Sequence, residues 1–558
     1  MNVISYAVGL CMCLATALAG QTVSRSDIVI RDPFIYCDKA TGRCYLYGTG
    51  RTSDGKRGFD VRETSDPTLQ TWSQLKPVWR KPDDFWGVWA YWAPEVFRYK
   101  DKFYLFATFE GPGRARAVQI LAADSPRGPF HVHSPEPING PEYFSLDGTL
   151  HIDKQGQPWM VYSREHVSIQ DGEMRALRLK HDLTAPLEPL IDILLFKASS
   201  APYAASWRNK EGQTCYLTDG PQMLRLSNGD LVLAWSTNNI LPAPVHWGYT
   251  VSIARSVGGD VEGPWVHEGI LYNGFAGHGQ IFRHPSMGLV LSVHQPNSGG
   301  TPYPLFLPVY EDNCKLTMAD PRTPGYVQAY WRFEDSTPGR NLLPSIDILD
   351  SSGRDNHLRG DAYNTTGSGS ASVPARRITS TLRLNLGSYD NSEPPEQGVE
   401  ARYLRSVDGS IETEKFSNWT VEVSLRPGSL SQRQVFLCRE SVIDFALTSD
   451  GRVEVRLGGQ RIVSRKALIA DNWYNLAVAC NGFKLKLYID DGDGPKLDTA
   501  AELGSKPFEL SNGRWFVGCA RRDGKYADRY KGLLDEIRIC SKALLPNAVL
   551  FARQADCH

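Results

Sequence analysis

The sequence predicts an all-β protein: a five-bladed β-propeller followed by a β-sandwich of jelly-roll type. Three observations predict it. Short runs of period-two apolar alternation recur along the chain, punctuated by 50 Gly and 35 Pro, and long helical periodicities are rare. One hairpin phrase returns five times between residues 32 and 296: an acid or histidine, an apolar strand, a polar turn and a more apolar return strand. After residue 325 that rhythm gives way to longer amphipathic strands. At 558 residues the chain exceeds one ordinary domain. The boundaries fall at 1–19, 25–320 and 326–556, with Pro-rich 321–325 as the linker.

Residues 1–19, "MNVISYAVGLCMCLATALA", form an apolar run that closes on a small-x-small triplet before polar sequence, which reads as a secretory signal peptide. No second run is long enough to span a bilayer, so the mature chain is expected to be secreted or periplasmic, without membrane insertion. Cysteine use fits that compartment. Of 11 Cys, Cys11 and Cys13 lie in the signal and the rest lack the paired spacing of a zinc site. Cys37 and Cys44 flank the turn "DKATGR" and face each other across a hairpin, which predicts a disulfide. Cys438, Cys480, Cys519, Cys540 and Cys557 cluster late and predict a second disulfide framework. Lys+Arg 61 balance Asp+Glu 62 with no basic run, so nucleic acid is excluded as a partner. Nothing in the sequence names a protein partner.

The five hairpins open at "DPFIYCDKATGRCYLYGTG" (Asp32), "APEVFRYKDKFYLFATFE" (Glu95), "DGTLHIDKQGQPWMVYSRE" (Asp147), "DGPQMLRLSNGDLVLAWST" (Asp219) and "GHGQIFRHPSMGLVLSVHQP" (His278). A four-strand unit repeating at intervals of roughly 50–70 residues is the mark of propeller blades. Outer strands follow in "AVQILAADSPRGPF", "MRALRLKHDL" and "YTVSIARSVGGDVEGPW". In a propeller the first strand of each blade lines the central channel, so Asp32, Glu95, Asp147, Asp219 and His278 are expected to converge at one mouth. The return strands bring Phe109, Glu165, Trp235 and His294 to the same rim. An Asp before Pro or Gly is ordinarily a turn residue. Recurrence at corresponding points of a repeat points instead to a gathered set of carboxylates whose pKa values perturb one another. Gly277 and Gly279 leave room beside His278 for a ligand or ion.

Paired carboxylates at a channel mouth suit glycosidic cleavage, in which one acid protonates the leaving oxygen and one base activates water. No nucleophile elbow, phosphate loop, His-Glu-x-x-His motif or dinucleotide fingerprint occurs in its required context. No organic cofactor is implied. Trp86, Trp89, Tyr91 and Trp92 in "DDFWGVWAYWAPEV" can stack on sugar faces or pack between blades. The predicted substrate contacts are Glu95, Trp89, Trp92, Phe109, Trp235, His278 and His294.

The motifs "RDPF", "YWAPEVFRYKDKFYLFATF", "SLDGTLHIDKQGQPWMVYSRE", "TDGPQMLRL" and "GHGQIF" resemble glycoside hydrolase family 43, the five-bladed inverting arabinofuranosidases, arabinanases and β-xylosidases, over about residues 27–315. The resemblance implies Asp32 as general base and Asp147 as the carboxylate that tunes and orients the acid. In that family the acid is usually a Glu opening the fourth blade, whereas this sequence has Asp219 in Thr218-Asp219-Gly220-Pro221. An Asp reaches about 1.5 Å less far, and misplacement on that scale costs roughly 100-fold. Either Asp219 is the acid in a rearranged site or Glu165 supplies the proton. His278 matches a family histidine near a channel ion, often calcium, which makes a cation an expectation there. The implied substrate is an arabinose- or xylose-containing polysaccharide or oligosaccharide. The alternative is a carbohydrate-binding, lectin-like protein with a degenerate propeller site.

In the second half "AYWRFEDS", "WTVEVSLRPG", "NWYNLAVACNGFKLKLYID" and "GLLDEIRICSKALLP" resemble a laminin-G or concanavalin-like sandwich. Strands of that period pack as two sheets whatever the family. "DDGDG" at 490–494 reads as a hairpin turn rather than a metal loop.

Overall fold

The computed structural model describes residues 22–333 apart from 240–247, 274–275, 299 and 319–322, residues 403–550 apart from 407–408 and 523, and short pieces between 347 and 390. The predicted signal, Cys557 and residues 321–322 of the predicted linker lie outside the described residues.

Five four-stranded antiparallel sheets follow one another along the first half, each in simple sequence order. Blade one is Arg31–Cys37, Cys44–Thr49, Gly58–Thr64 and Lys76–Arg80. Blade two begins with Trp89–Tyr99 and Lys102–Gly111, blade three with Ser145–Ile152 and Pro158–Arg164, blade four with Asp219–Arg225 and Leu231–Asn239, and blade five with Gly277–His284 and Gly288–Gln295. The predicted outer strands are present as Arg114–Ala123, Glu173–Arg178 and Gly248–Ser256. Cys37 and Cys44 pair across the first hairpin and form the predicted disulfide.

Each joint between blades has its own apolar core. Phe34, Tyr47 and Phe59 of blade one pack with Val96, Leu105 and Phe109 of blade two. Phe106 and Ile120 meet Met160 and Leu177, and Trp159 and Val161 meet Leu233 and Trp235. Val232 and Val251 meet Ile281 and Leu291, and Ile35 and Leu46 meet Phe282, Val290 and Phe306. That fifth joint, blade five on blade one, closes the ring. It is reinforced where Gln280 accepts from Ile35 N–H at 2.6 Å and donates to its carbonyl at 2.9 Å, and where buried Arg25 donates to the Pro304 carbonyl at 3.1 Å.

The second half forms two sheets over one apolar core that includes Trp331, Trp419, Phe445, Leu476, Trp515 and Ile537. The strand Val327–Trp331 pairs with the late strand Gly532–Cys540, so the beginning and end of this half are tied together. The "DDGDG" segment is a hairpin turn, with Asp490 Oδ1 accepting from Gly492 N–H and Gly494 N–H.

The second disulfide framework is not formed among the described residues. Cys438, Cys480, Cys519 and Cys540 are buried and carry no disulfide. Cys480 and Cys540 lie on strands flanking Trp419–Pro427 but belong to different apolar cores, so their sulfurs point away from each other. Cys438 Sγ meets the carbonyl of Cys519 at 3.5 Å rather than its sulfur.

Candidate active site

Each inner strand breaks register near its start. The breaks lie at Arg31/Phe34, Trp92/Glu95, Leu146/Thr149, Asp219/Gln222 and Gly277/Gln280. The residue just inside each break, Asp32, Ala93, Asp147, Gly220 or His278, has a positive φ of 44–57°. Outside glycine that conformation is uncommon, and here it turns a side chain out of the pleat and into the channel mouth.

These five residues are knitted into a ring. Ala93 N–H donates to Thr49 Oγ1 at 2.8 Å, Asp147 N–H to Thr108 Oγ1 at 3.0 Å, His278 N–H to Ser236 Oγ at 2.8 Å and Asp32 N–H to His294 Nδ1 at 3.1 Å. At the remaining joint Gly220 N–H donates to the carboxylate of Asp147 at 3.0 Å.

The predicted set is therefore not equivalent blade by blade. Asp32, Asp147 and His278 share one position and do converge: His278 Nδ1 lies 3.4 Å from Asp32 and 3.6 Å from Asp147. Asp219 stands one residue earlier, paired with Ser236, and enters the mouth with Tyr249 OH donating to its Oδ2 at 3.0 Å. Glu95 stands two residues later than Ala93 and is buried at the level occupied by Gln222 and Gln280 in other blades. It sits below the mouth, where the sequence reading had placed it among substrate contacts.

Two further predicted contacts are corrected. Phe109 and Trp235 are wholly buried in the joints between blades, against Phe85 and Trp79 and against Phe196 respectively. Successive residues of a strand face opposite ways. Because Thr108 and Ser236 face the channel, Phe109 and Trp235 must face the joints. His294, also buried, touches Asp32 and holds its backbone in place. The glycines beside His278 make room for protein, not ligand: a Cβ on Gly277 would meet the Tyr249 ring at 2.3 Å, and one on Gly279 would meet Val251 at 2.6 Å. Trp89 and Trp92 are 54% and 38% exposed and remain available at the rim.

The carboxyls differ in their surroundings. Burial pushes Asp32 up, but His278 and His294, the Thr49 hydroxyl donating at 2.6 Å and Arg31 outweigh it and hold the group below the usual aspartate value. Burial pushes Asp219 well up; nearby Asp147 and Glu165 add to this, and His278 and Tyr249 only partly oppose it. Asp147 is raised by burial and by Asp32, with the Gly220 N–H opposing. Glu165 is raised by burial against the pull of Arg116, which pairs with it and with Glu110 and lies 4.4 Å over the Trp92 ring. His294 is pushed down to about 4 by burial, and as a neutral ring it accepts from Asp32 N–H through Nδ1 while Nε2 meets Asn297 Oδ1 at 3.2 Å. Two like carboxyls in one mouth, pushed in opposite directions by their surroundings, are the equipment of acid–base hydrolysis.

Thr49, Arg116 and Tyr249 were missed from sequence. Thr49 had a signal, since it holds the place on its return strand that His294 holds on that of blade five. Arg116 and Tyr249 come from third strands and had none. For metal, the one group of three potential ligands among the described residues is Cys37, Cys44 and His284, whose two sulfurs are bonded to each other. His278 offers a different opening, because its Nε2 is buried and without a hydrogen-bond partner in the structure.

A family model described as "Glycosyl hydrolases family 43" matches residues 27–306, and one described as "Concanavalin A-like lectin/glucanases superfamily" matches residues 400–550. Comparison with curated proteins finds no match. Among solved structures, an endo-arabinase from Bacteroides thetaiotaomicron VPI-5482 is 36% identical over 52% of this chain and 98% of its own, at a TM-score of 0.47. The arabinanase of Bacillus subtilis is 19% identical over 52% of this chain and 98% of its own, at 0.36. A family-43 protein from Bacillus licheniformis is 14% identical over 93% of this chain and 100% of its own, at 0.38. The match to residues 27–306 spans half of the chain and contains every blade that bears Asp32, Asp147 and Asp219, so the chain belongs to glycosyl hydrolases family 43 and is a glycosidase.

Proposed function

We propose that the protein hydrolyses O-glycosyl bonds of arabinose- or xylose-containing polysaccharides with inversion, after export from the cytosol. The observation that carries the mechanism is the opposite displacement of Asp32 and Asp219 within one mouth. Asp32, kept ionised, takes a proton from water as the oxygen attacks the anomeric carbon. Asp219, kept protonated, gives its proton to the departing glycosidic oxygen. Asp147, itself raised well above the usual aspartate value by burial and by Asp32, in turn raises Asp219 and holds the Gly220 amide beside it. Asp219 is favoured over Glu165 as the acid because Glu165 is tied to Arg116, which favours its charged form.

The unpartnered Nε2 of His278 fits a hydrated cation such as calcium, with one protein nitrogen and water completing its shell. Such an ion would add positive charge beside the carboxylates. The sugar class follows from the family that the five blade motifs resemble, and export follows from residues 1–19.

The test is turnover of aryl α-L-arabinofuranoside and β-D-xyloside by the mature chain beside Asp32→Asn, with the product anomer read by NMR. Activity on one of them, a product of inverted configuration, and a loss of about 10²–10⁴-fold in the variant are expected. Undiminished activity in Asp32→Asn would overturn the assignment.

A further inference from the structure

The catalytic mouth is acidic, yet the hollow beside it is not. A cavity of about 800 Å³ shares Thr49 and Trp92 with the mouth and is lined further by Arg31, Arg51, Arg62 and Asp27. Thr49 is the residue whose hydroxyl holds Asp32, so the cavity borders the reacting centre directly. Three arginines and one aspartate are the charged residues of its lining. In the mouth, by contrast, the carboxyls of Asp32, Asp147, Asp219 and Glu165 gather, with Arg116 paired to Glu165 and Glu110 and Arg31 acting on Asp32 from the side.

Two of the three arginines are held in position. Arg31 donates through both terminal nitrogens to Asn297, to the carbonyl and to Oδ1, each at 2.7 Å. Arg62 donates to the Ser73 carbonyl at 2.8 Å. Arg51 is exposed and makes no hydrogen bond or ion pair among the described residues. Arginine presents a planar fork matched to a carboxylate, and a neutral pentosyl unit offers nothing that calls for several such forks together. Trp92 stands at the boundary with Arg116 over its ring and part of its surface open, placed to support a sugar ring that passes from the mouth into the cavity.

We propose that this cavity is a subsite for an acidic glycosyl residue, a uronosyl unit of the same glycan, whose carboxylate is met by Arg51 with Arg31 and Arg62 behind it while the scissile bond lies at Asp32. The inference rests on the hydrolase reading above and adds a charge preference to it. An anionic unit recognised there admits acidic, branched glycans that the carboxylates of the mouth alone would repel.

The experiment compares two oligosaccharides of one backbone, one bearing a uronosyl unit and the other its carboxyl-reduced counterpart, which carries an uncharged hydroxymethyl in place of the carboxylate. The wild-type protein is expected to favour the acidic form in kcat/KM by about 10-fold, a preference that shrinks with added salt. Arg51→Gln is expected to abolish the preference while leaving kcat/KM for the reduced form within about two-fold. Equal rates on both forms in the wild type, or an undiminished preference in Arg51→Gln, would overturn the subsite and leave the hydrolase reading standing. Calorimetry on Asp32→Asn separates the two in the other direction. Tighter binding of the acidic form that is lost in Asp32→Asn/Arg51→Gln supports the subsite even if neither oligosaccharide is cleaved; equal binding of both forms would overturn it.

Discussion

Asp32 and Asp219 are the same side chain set in different surroundings, and the proposed chemistry depends on that difference. Catalysis requires Asp32 without its proton, so activity falls as pH drops through a value below the usual 3.8. It requires Asp219 with its proton, so activity also falls as pH rises through a value raised well above 3.8. We therefore expect a broad bell in kcat/KM against pH. Asp219→Asn is expected to remove the basic limb and to lower turnover of an oligosaccharide by about 10²–10⁴-fold, with a much smaller loss on a nitrophenyl glycoside whose leaving group needs no proton. Retention of the basic limb in Asp219→Asn would move the acid to Glu165. Steady-state rates over the pH range decide it. Asp32, Asp147, Asp219 and His278 were legible in the sequence because each opens a repeated hairpin. Tyr249 and Arg116 were not, because each reaches the mouth from a strand whose own pattern is that of an ordinary outer strand.

At the scale of the strand, the register break is what sorts side chains between channel and joint. Below it lies a second layer, made of Phe34, Glu95, Thr149, Gln222 and Gln280. Gln280 and Gln222 use that place to bind the backbone of the next blade, at Ile35 and Ile281. Glu95 occupies it as an acid raised well above 4.5, first by burial and further by Asp147 and Asp32, with the nearby Thr149 hydroxyl opposing. Because the folded value exceeds the unfolded one, its contribution to stability is full below about pH 4.5 and is eroded as pH rises from there through the folded value. Glu95→Gln is expected to remove that erosion, so its melting temperature should exceed that of the wild type by a margin that grows with pH, with activity retained. Thermal unfolding between pH 4 and 9 checks this; a variant less stable at every pH would refute it. The hairpins could be read from alternation and turn residues, but the breaks could not, since a bulge leaves the composition of a strand unchanged. That is why Phe109 and Trp235 were assigned to the rim while their neighbours Thr108 and Ser236 hold it.

On the scale of the molecule, the propeller is a ring that must shut between its last blade and its first. Among the described residues no strand is exchanged across that joint, as each blade draws its four strands from its own stretch of chain. Closure rests on the apolar joint of Ile35 and Leu46 with Phe282, Val290 and Phe306, and on Gln280, Arg25 and His294. Gln280→Leu would leave the buried N–H and C=O of Ile35 without their partner, at a cost of about 1–3 kcal/mol for each unsatisfied group. We expect a lowered denaturation midpoint, measured by urea unfolding, together with reduced turnover, because Ile35 lies three residues from Asp32. An unchanged midpoint would show that the apolar joint alone suffices.

The sequence by itself determined the strands, the five-fold repeat, the disulfide at Cys37 and Cys44, the sandwich that follows, and which acids could take part in catalysis. These depend on local alternation, turn chemistry and recurrence, all of which are properties of neighbouring residues. Only the tertiary structure decided which way each side chain faces at a register break, which carboxyl is pushed towards its charged form and which towards its protonated form, that the late cysteines stay apart, and that a basic hollow adjoins an acidic mouth. Each of these depends on charges and surfaces brought together from distant strands, and no stretch of sequence contains both partners.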